Sequence, residues 1–169
     1  MTATRLETFQ QSLASHGVDW TSVEAAAFAD ELSDLVEEPA VGARLPFAGL
    51  SYEDTPVVVD PTPAELADAR TGVTAAAFAV ADYGSVVLES GAEGTEQVSL
   101  YPRTHVAVVR ASDVLADMEA AFARLQDRFE AGATSAVLAT GPSATADMGA
   151  LVLGAHGPSA VAVVVLEDR

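Results

Sequence analysis

Apolar residues at Leu6, Phe9 and Leu13 recur at helical spacing and predict an amphipathic helix over residues 4–15, with His16-Gly17 as its stop. Thr21-Ser-Val-Glu24 has capping-box spacing, so a second helix is expected from there to about Glu38, where Pro39 ends it. Both helices are expected to precede every strand and to pack on the outside of the core. Residues 40–55 contain Gly42, Pro46 and Gly49 and read as irregular. Val57–Val59 predicts a short buried strand closed by Asp60-Pro-Thr-Pro63. Thr62-Pro-Ala-Glu65 then opens a helix to about Arg70, with proline at its first position.

The remainder is dominated by unbroken apolar runs. Ala75–Ala81 and Ser85–Leu88, joined by Asp82-Tyr-Gly84, predict a hairpin. Gly91–Gly94 reads as a loop and His105–Val109 as a strand, after which Ser112 is expected to cap a helix running to about Phe129. Ser135–Ala139 predicts a strand, Gly141-Pro-Ser143 a turn, Thr145–Leu151 a short helix, Gly154–Pro158 a loop and Val161–Leu166 another strand. From Val57 onward strands alternate with helices, and the later strands are apolar throughout rather than alternating. That pattern specifies an α/β fold with a mostly parallel sheet covered on both faces. The expected organisation is an N-terminal helical arm over residues 1–40 and an α/β domain over 41–169, together forming one structural domain.

Charge changes the picture of the surroundings. The 25 acidic residues face only 8 basic ones, all of them arginine, for a formal charge of −17. Such self-repulsion weakens a compact state unless salt screens it, and at molar ionic strength the Debye length falls to about 3 Å. The acids are scattered rather than run together, which points to a chain adapted to a salt-rich cytosol. With no basic patch to neutralise phosphates, nucleic acid is not expected as a partner. The apolar runs are strand-length, short of the roughly 20 residues of a membrane-spanning helix, and Met1–Glu7 has no signal-peptide character. A cytoplasmic protein with no membrane partner is expected.

The absence of cysteine excludes disulfides, thiolate nucleophiles and a cysteine-held iron–sulfur cluster. The absence of lysine excludes Schiff-base chemistry and a P-loop. Catalytic groups must therefore be carboxylate, histidine, hydroxyl or arginine.

The informative segments lie late in the chain. Thr140-Gly-Pro-Ser-Ala-Thr-Ala-Asp147 follows an apolar strand and is expected to lead into a helix, whose free N–H groups and dipole would suit an anion at a strand's carboxyl end. Gly141, Pro142, Ser143 and Thr145 are the candidate ligand-binding positions there. His156 lies in the turn Gly154-Ala-His-Gly-Pro158, where its pKa range suits acid–base work and Asp147 offers a carboxylate partner. Gly157 belongs to the same turn, and His105, at the start of its strand, either points into the same crevice or simply starts the strand. Gly84 and Ser85 expose backbone in the hairpin bend, Glu89 follows an apolar strand, and Arg103 is a candidate counter-charge. No pair of histidines has metal-ligand spacing, so no metal site is expected.

Three segments together resemble the LUD-domain family of the lactate-utilization C type. They are Thr71–Leu88, Ser99–Val109, and Thr140–Asp147 with Val152–Pro158. The resemblance runs in order over residues 57–169. It implies a three-layer α/β/α Rossmann-like fold, similar to sugar-phosphate isomerases and CoA transferases. It also implies work alongside iron–sulfur oxidoreductase subunits in oxidising lactate to pyruvate, with the clusters held only by those partners and no cofactor in this chain. The family motif positions are Gly84, Ser85, His105, Gly141, Pro142, Ser143, Thr145, Asp147, His156, Gly157 and Pro158. Two positions depart from the pattern: Ala144 stands where arginine or lysine is frequent, and Tyr83 where a threonine is usual. The reading adopted for the strand-end site is a small carboxylate or phosphorylated ligand, with His156 and Asp147 as the pair that could shuttle a proton. Two alternatives stand beside this: a non-enzymatic regulatory or scaffold subunit, and CoA-transferase-like acyl transfer with Glu89 as nucleophile. A homo-oligomer is compatible with either.

Overall fold

A computed structural model describes residues 4–147 and 149–167, with the Asp147 side chain excepted. Among these residues the α-helices are α1 (Arg5–Ser15), α2 (Phe28–Leu35), α3 (Pro63–Asp68), α4 (Thr95–Leu100) and α5 (Met118–Glu130), with short 3-10 turns at Ala25–Ala27 and Ala111–Asp113. The strands are β1 (Asp19–Val23), β2 (Ala40–Gly42), β3 (Val57–Val59), β4 (Thr71–Ala75), β5 (Phe78–Val80), β6 (Ser85–Glu89), β7 (Thr104–Arg110), β8 (Val114–Leu115), β9 (Ala136–Thr140), β10 (Ala144–Asp147), β11 (Ala150–Leu153) and β12 (Ala160–Leu166).

The runs at residues 105–109 and 161–166 become two adjacent interior strands of a six-stranded sheet in the order β1-β12-β7-β4-β2-β3. Every pairing in it is parallel. Both faces are covered, which is why Val106–Val109 and Val161–Leu166 are apolar throughout. On one face Val106, Val108, Val164 and Leu166 pack against Phe28 and Leu32 of α2, with Phe47 and Tyr52 from the connection after β2. On the other, Ala107, Val109, Val163 and Val165 meet Phe9 and Leu13 of α1 and a second layer of strands contributing Ala79, Val86 and Leu88. That layer is a four-stranded sheet ordered β8-β5-β6-β9. Its outer side, Phe78, Val80 and Val87, is closed by Ala121 and Leu125 of α5. The α/β fold with a mostly parallel central sheet is as expected. The second sheet adds a layer between that core sheet and α5.

Several expected elements differ. Thr21–Val23 is not the start of a helix but part of β1, which pairs residue by residue with Ala162–Leu166. The capping-box pattern was overridden by a place in the sheet, and α2 begins only at Phe28. Residues 1–40 are therefore no separate helical arm, because β1 is built into the main sheet. Val57–Val59 forms its strand, but as the sheet's edge, with Val58 and Val59 exposed. The short helix α4 was not expected. It seats itself on β4 at Gly72, where a Cβ would stand 2.0 Å from the Val98 carbonyl oxygen. The expected helix over residues 145–151 is instead the antiparallel hairpin β10–β11, bent at Gly149 with φ +82°.

Candidate functional site

The turn after β9 and the turn before β12 are stitched together. The Ser143 amide donates to the Pro158 carbonyl at 2.8 Å, and the Gly154 amide donates to the Ser143 carbonyl at 2.8 Å. Glycine at 157 permits the approach: a Cβ there would lie 3.1 Å from Ser143 Cβ and 3.4 Å from its Oγ. Gly141, with φ +69°, packs against His16. The start of β12 is anchored in turn by the Arg103 carbonyl, which accepts from the Ser159 amide at 2.8 Å.

These turns rim a cavity of about 440 Å³ whose lining includes His105, Gly141, Pro142, Ser143, His156 and Gly157. Leu88, Leu100, Val137, Ala139 and Val161 give it an apolar wall, and Ser99 and Thr140 add hydroxyls. Ser143 Oγ has no hydrogen-bond partner among the described residues and remains available to a ligand. None of the described acidic side chains lines this cavity, in a chain that carries 25 acids.

His105 forms the floor. It is 2% exposed, and its Nε2 is 2.8 Å from Thr74 Oγ1 of β4, the neighbouring strand. Burial penalises the imidazolium and lowers the pKa to about 4. At neutral pH this ring is an uncharged hydrogen-bonding group, not a counter-charge for an anion. His156, by contrast, is exposed at the rim.

The sequence thus brought His105, Gly141, Pro142, Ser143, His156 and Gly157 to one place. Other candidates fall elsewhere. Gly84 is in the hairpin bend, but the bend lies against α1, where a Cβ at Gly84 would meet the Ser12 backbone at 2.8 Å. Ser85 is buried behind the wall, bonding Thr140 Oγ1 at 2.6 Å. Thr145 is on β10 opposite Val152, outside the lining. The side chain of Asp147, the expected partner of His156, lies outside the described residues. Arg103 contributes its carbonyl rather than its charge. Glu89 stands outside the cavity, its carboxylate gripped by Arg128 through Nε at 2.7 Å and Nη2 at 2.5 Å.

Two physical expectations also change. The cavity does not sit at the carboxyl ends of the parallel strands. His105 and Val161 open β7 and β12, so it lies at their amino ends, beside the exit of β9. The segment after Ser143 is a strand, so it offers no helix N-terminus to the cavity, and recognition there falls to hydroxyl, imidazole and backbone groups. The carboxyl ends carry a separate, larger cavity of about 710 Å³, where Arg44 after β2 is held by Asp60 after β3. Sequence reasoning missed it because the two residues sit in irregular segments without a motif. Both its arginine and that acid are already satisfied by one another. Among the described residues, no group of three metal-ligating side chains converges, and no helix is long and apolar enough to cross a membrane.

Comparison with known proteins agrees with this architecture. The family model of the LUD domain matches residues 7–166. The chain belongs to the LUD-domain family. It is 37% identical over 105 residues to a Bacillus licheniformis protein named Lactate utilization protein C, covering 60% of this chain and 44% of that one. The Bacillus subtilis protein of the same name is 35% identical over the same shares. Escherichia coli YkgG, an uncharacterized protein, is 30% identical over 142 residues, 79% of this chain and 59% of its own length. The chain therefore spans less than half the length of the lactate-utilization relatives it matches. In three dimensions it is similar to a DUF162 family protein of Deinococcus radiodurans, with a TM-score of 0.74 and 21% identity over 98% of this chain and 99% of the other. At that identity the likeness speaks for the fold.

Proposed function

We propose that this chain serves lactate utilization by binding a small carboxylate in the His105–Ser143–His156 cavity, as a component of a system oxidising lactate to pyruvate. The observation that carries this reading is the convergence of those three side chains on one cavity free of described acidic groups. The names of the relatives supply the pathway. In the cavity, Ser143 Oγ and the His156 ring donate to the carboxylate, while neutral His105 holds the floor and can bond the ligand's hydroxyl or keto oxygen. The apolar wall of Leu88, Val137 and Val161 fits a short alkyl chain and excludes water from it. Electron transfer belongs to iron–sulfur oxidoreductase partners, since a chain without cysteine has no thiolates for a cluster. The acidic surface fits a cytoplasm of high ionic strength. Glu89, tied to Arg128 and outside this cavity, has no role in it.

Calorimetric titration in molar KCl with lactate, pyruvate, inorganic phosphate and coenzyme A tests the reading. Saturable binding of lactate or pyruvate, lost in Ser143→Ala and in His156→Ala, is the expected result. Absence of heat with either acid overturns it and favours a scaffold role.

A further inference from the structure

The two ring nitrogens of His105 have different surroundings. Nε2 is turned inward, 2.8 Å from Thr74 Oγ1. Gly72 pairs with His105 in the sheet, so Thr74, two residues further along β4, shares the face that His105 stands on. Thr74 is fully buried, and its hydroxyl has no described partner other than this nitrogen. Nδ1 has no described partner at all. Yet among the described residues Ser22 Oγ alone is a side-chain polar atom sealed from solvent without a partner. Nδ1 is therefore the ring nitrogen that opens on the cavity His105 lines.

Burial decides which nitrogen carries the proton. A neutral imidazole has one N–H and one lone-pair nitrogen, and a hydroxyl has one proton to place. If Nε2–H donated to Thr74, the Thr74 hydroxyl proton would be stranded in the core without an acceptor, which is costly. If Thr74 donates to Nε2, that proton is satisfied and the ring hydrogen falls on Nδ1, where a ligand can meet it. The tautomer is thus set by a residue that does not itself line the cavity.

The other polar side chains of the lining agree with that polarity. Ser99 Oγ donates to the Glu96 carbonyl at 2.8 Å, and Thr140 Oγ1 is bonded to Ser85 Oγ at 2.6 Å. Ser143 Oγ and the His156 ring at the rim offer protons to a carboxylate, and no described acidic side chain lines the cavity to accept one. On the floor, Nδ1–H meets the oxygen on the carbon next to that carboxylate. A keto oxygen only accepts and is satisfied there. A hydroxyl brings a proton of its own, for which His105 in this tautomer has no lone pair. We infer that, within the carboxylate-binding role proposed above and resting on it, the cavity selects a keto acid over the matching hydroxy acid. Thr74 is the positioning residue that enforces the choice, by holding the proton of His105 on Nδ1.

Calorimetric titration of the whole chain in molar KCl with pyruvate and with lactate tests this, together with NMR of the histidine ring nitrogens. Pyruvate is expected to bind about tenfold tighter than lactate, the effect of leaving one buried polar group unpaired. The ligand-free protein is expected to show His105 protonated on Nδ1, its signal identified by its loss in His105→Gln. Thr74→Val keeps the shape and removes the hydroxyl, so the preference should fall to within about twofold and the second tautomer should appear. Thr74→Ser should restore both. A purely structural role for Thr74 would weaken the two acids alike and leave their ratio unchanged in Thr74→Val, which overturns the inference. So does protonation of Nε2 in the free protein, or lactate bound as tightly as pyruvate, while the carboxylate reading survives either result. Absence of heat with both acids overturns that reading and this selection with it, so the two failures are distinguishable. The ratio and tautomer of the native protein decide the matter even where Thr74→Val does not fold.

Discussion

His105 Nε2 and Thr74 Oγ1 meet at 2.8 Å across two adjacent parallel strands, sealed from solvent at the floor of the candidate site. The folded pKa of this histidine is about 4, against about 6.5 for the unfolded chain. Between those values the unfolded state holds more protons, so acid favours unfolding. The contribution of His105 is fully present above about pH 6.5 and is lost progressively as pH falls toward 4, by at most roughly 1.4 kcal/mol per unit. Urea denaturation at a series of pH values should show this slope in the native protein and a shallower one in His105→Gln. Equal slopes would remove the buried neutral histidine from the account.

Gly157→Ala sets a methyl group 3.1 Å from Ser143 Cβ, a contact that a shift of a few tenths of an ångström relieves. The fold should lose no more than about 1–2 kcal/mol, a modest overpacking cost. Carboxylate binding should weaken more than tenfold because Ser143 Oγ is displaced. Calorimetry and thermal melts on the same variant separate the two effects. Unchanged binding would take Ser143 out of the site.

Gly72→Ala is expected to be far more damaging. Its methyl group would stand 2.0 Å from the Val98 carbonyl, so α4 must lift off β4. A loss at the upper end of overpacking costs, about 3 kcal/mol or more, is expected. A thermal melt within a few degrees of the native protein would contradict the close seating of that helix.

Helix α5 is capped by Asp117, whose Oδ1 accepts from the Ala120 amide at 2.9 Å, and not by Ser112. Asp117→Ala should cost about 1 kcal/mol, the usual value of such a cap. Ser112→Ala should be close to neutral. The ordering of the two melting temperatures decides it.

A charge of −17 on this chain predicts a melting temperature that climbs with KCl up to molar concentrations. Circular dichroism melts across a salt series read this directly. A flat or falling series would count against adaptation to high ionic strength.

How much of this was legible depended on the length of each signal. Val161–Leu166 and Val106–Val109, just after His105, are uninterrupted apolar runs, and only strands buried on both faces need such runs, so the central sheet was readable. The β5–β6 hairpin was readable from the polar bend at Asp82-Tyr-Gly84. Thr21 misled because a capping-box spacing describes local preference only. Its segment gains more by pairing with Ala162–Leu166, residues far away in sequence. Helix α4 spans Thr95–Leu100, too short for any periodicity to appear, and is held by Gly72 rather than by its own pattern.

The site followed the same logic. Ser143, Gly157 and His156 stood out as turn chemistry between apolar runs, and the turns did meet. Which end of the sheet they meet at was not legible, since strand direction within the sheet follows from topology and not from the motif. The apolar wall at Leu88, Leu100 and Val137 was invisible for a related reason: apolar residues in a strand or short helix read as core wherever they face. The exposed hairpin was hidden too, because Ala144-Thr-Ala-Asp147 favours neither helix nor strand strongly.

The position of β12 between β1 and β7 has a consequence for synthesis on the ribosome. Residues 19–23 and 104–110 both wait for residues 160–166 to supply the strand that joins them. Until that segment emerges, β1 has no neighbour, and the growing chain carries an open gap flanked by exposed valines. The pairings that close this sheet are long-range in sequence, the kind whose loop-closure cost slows folding.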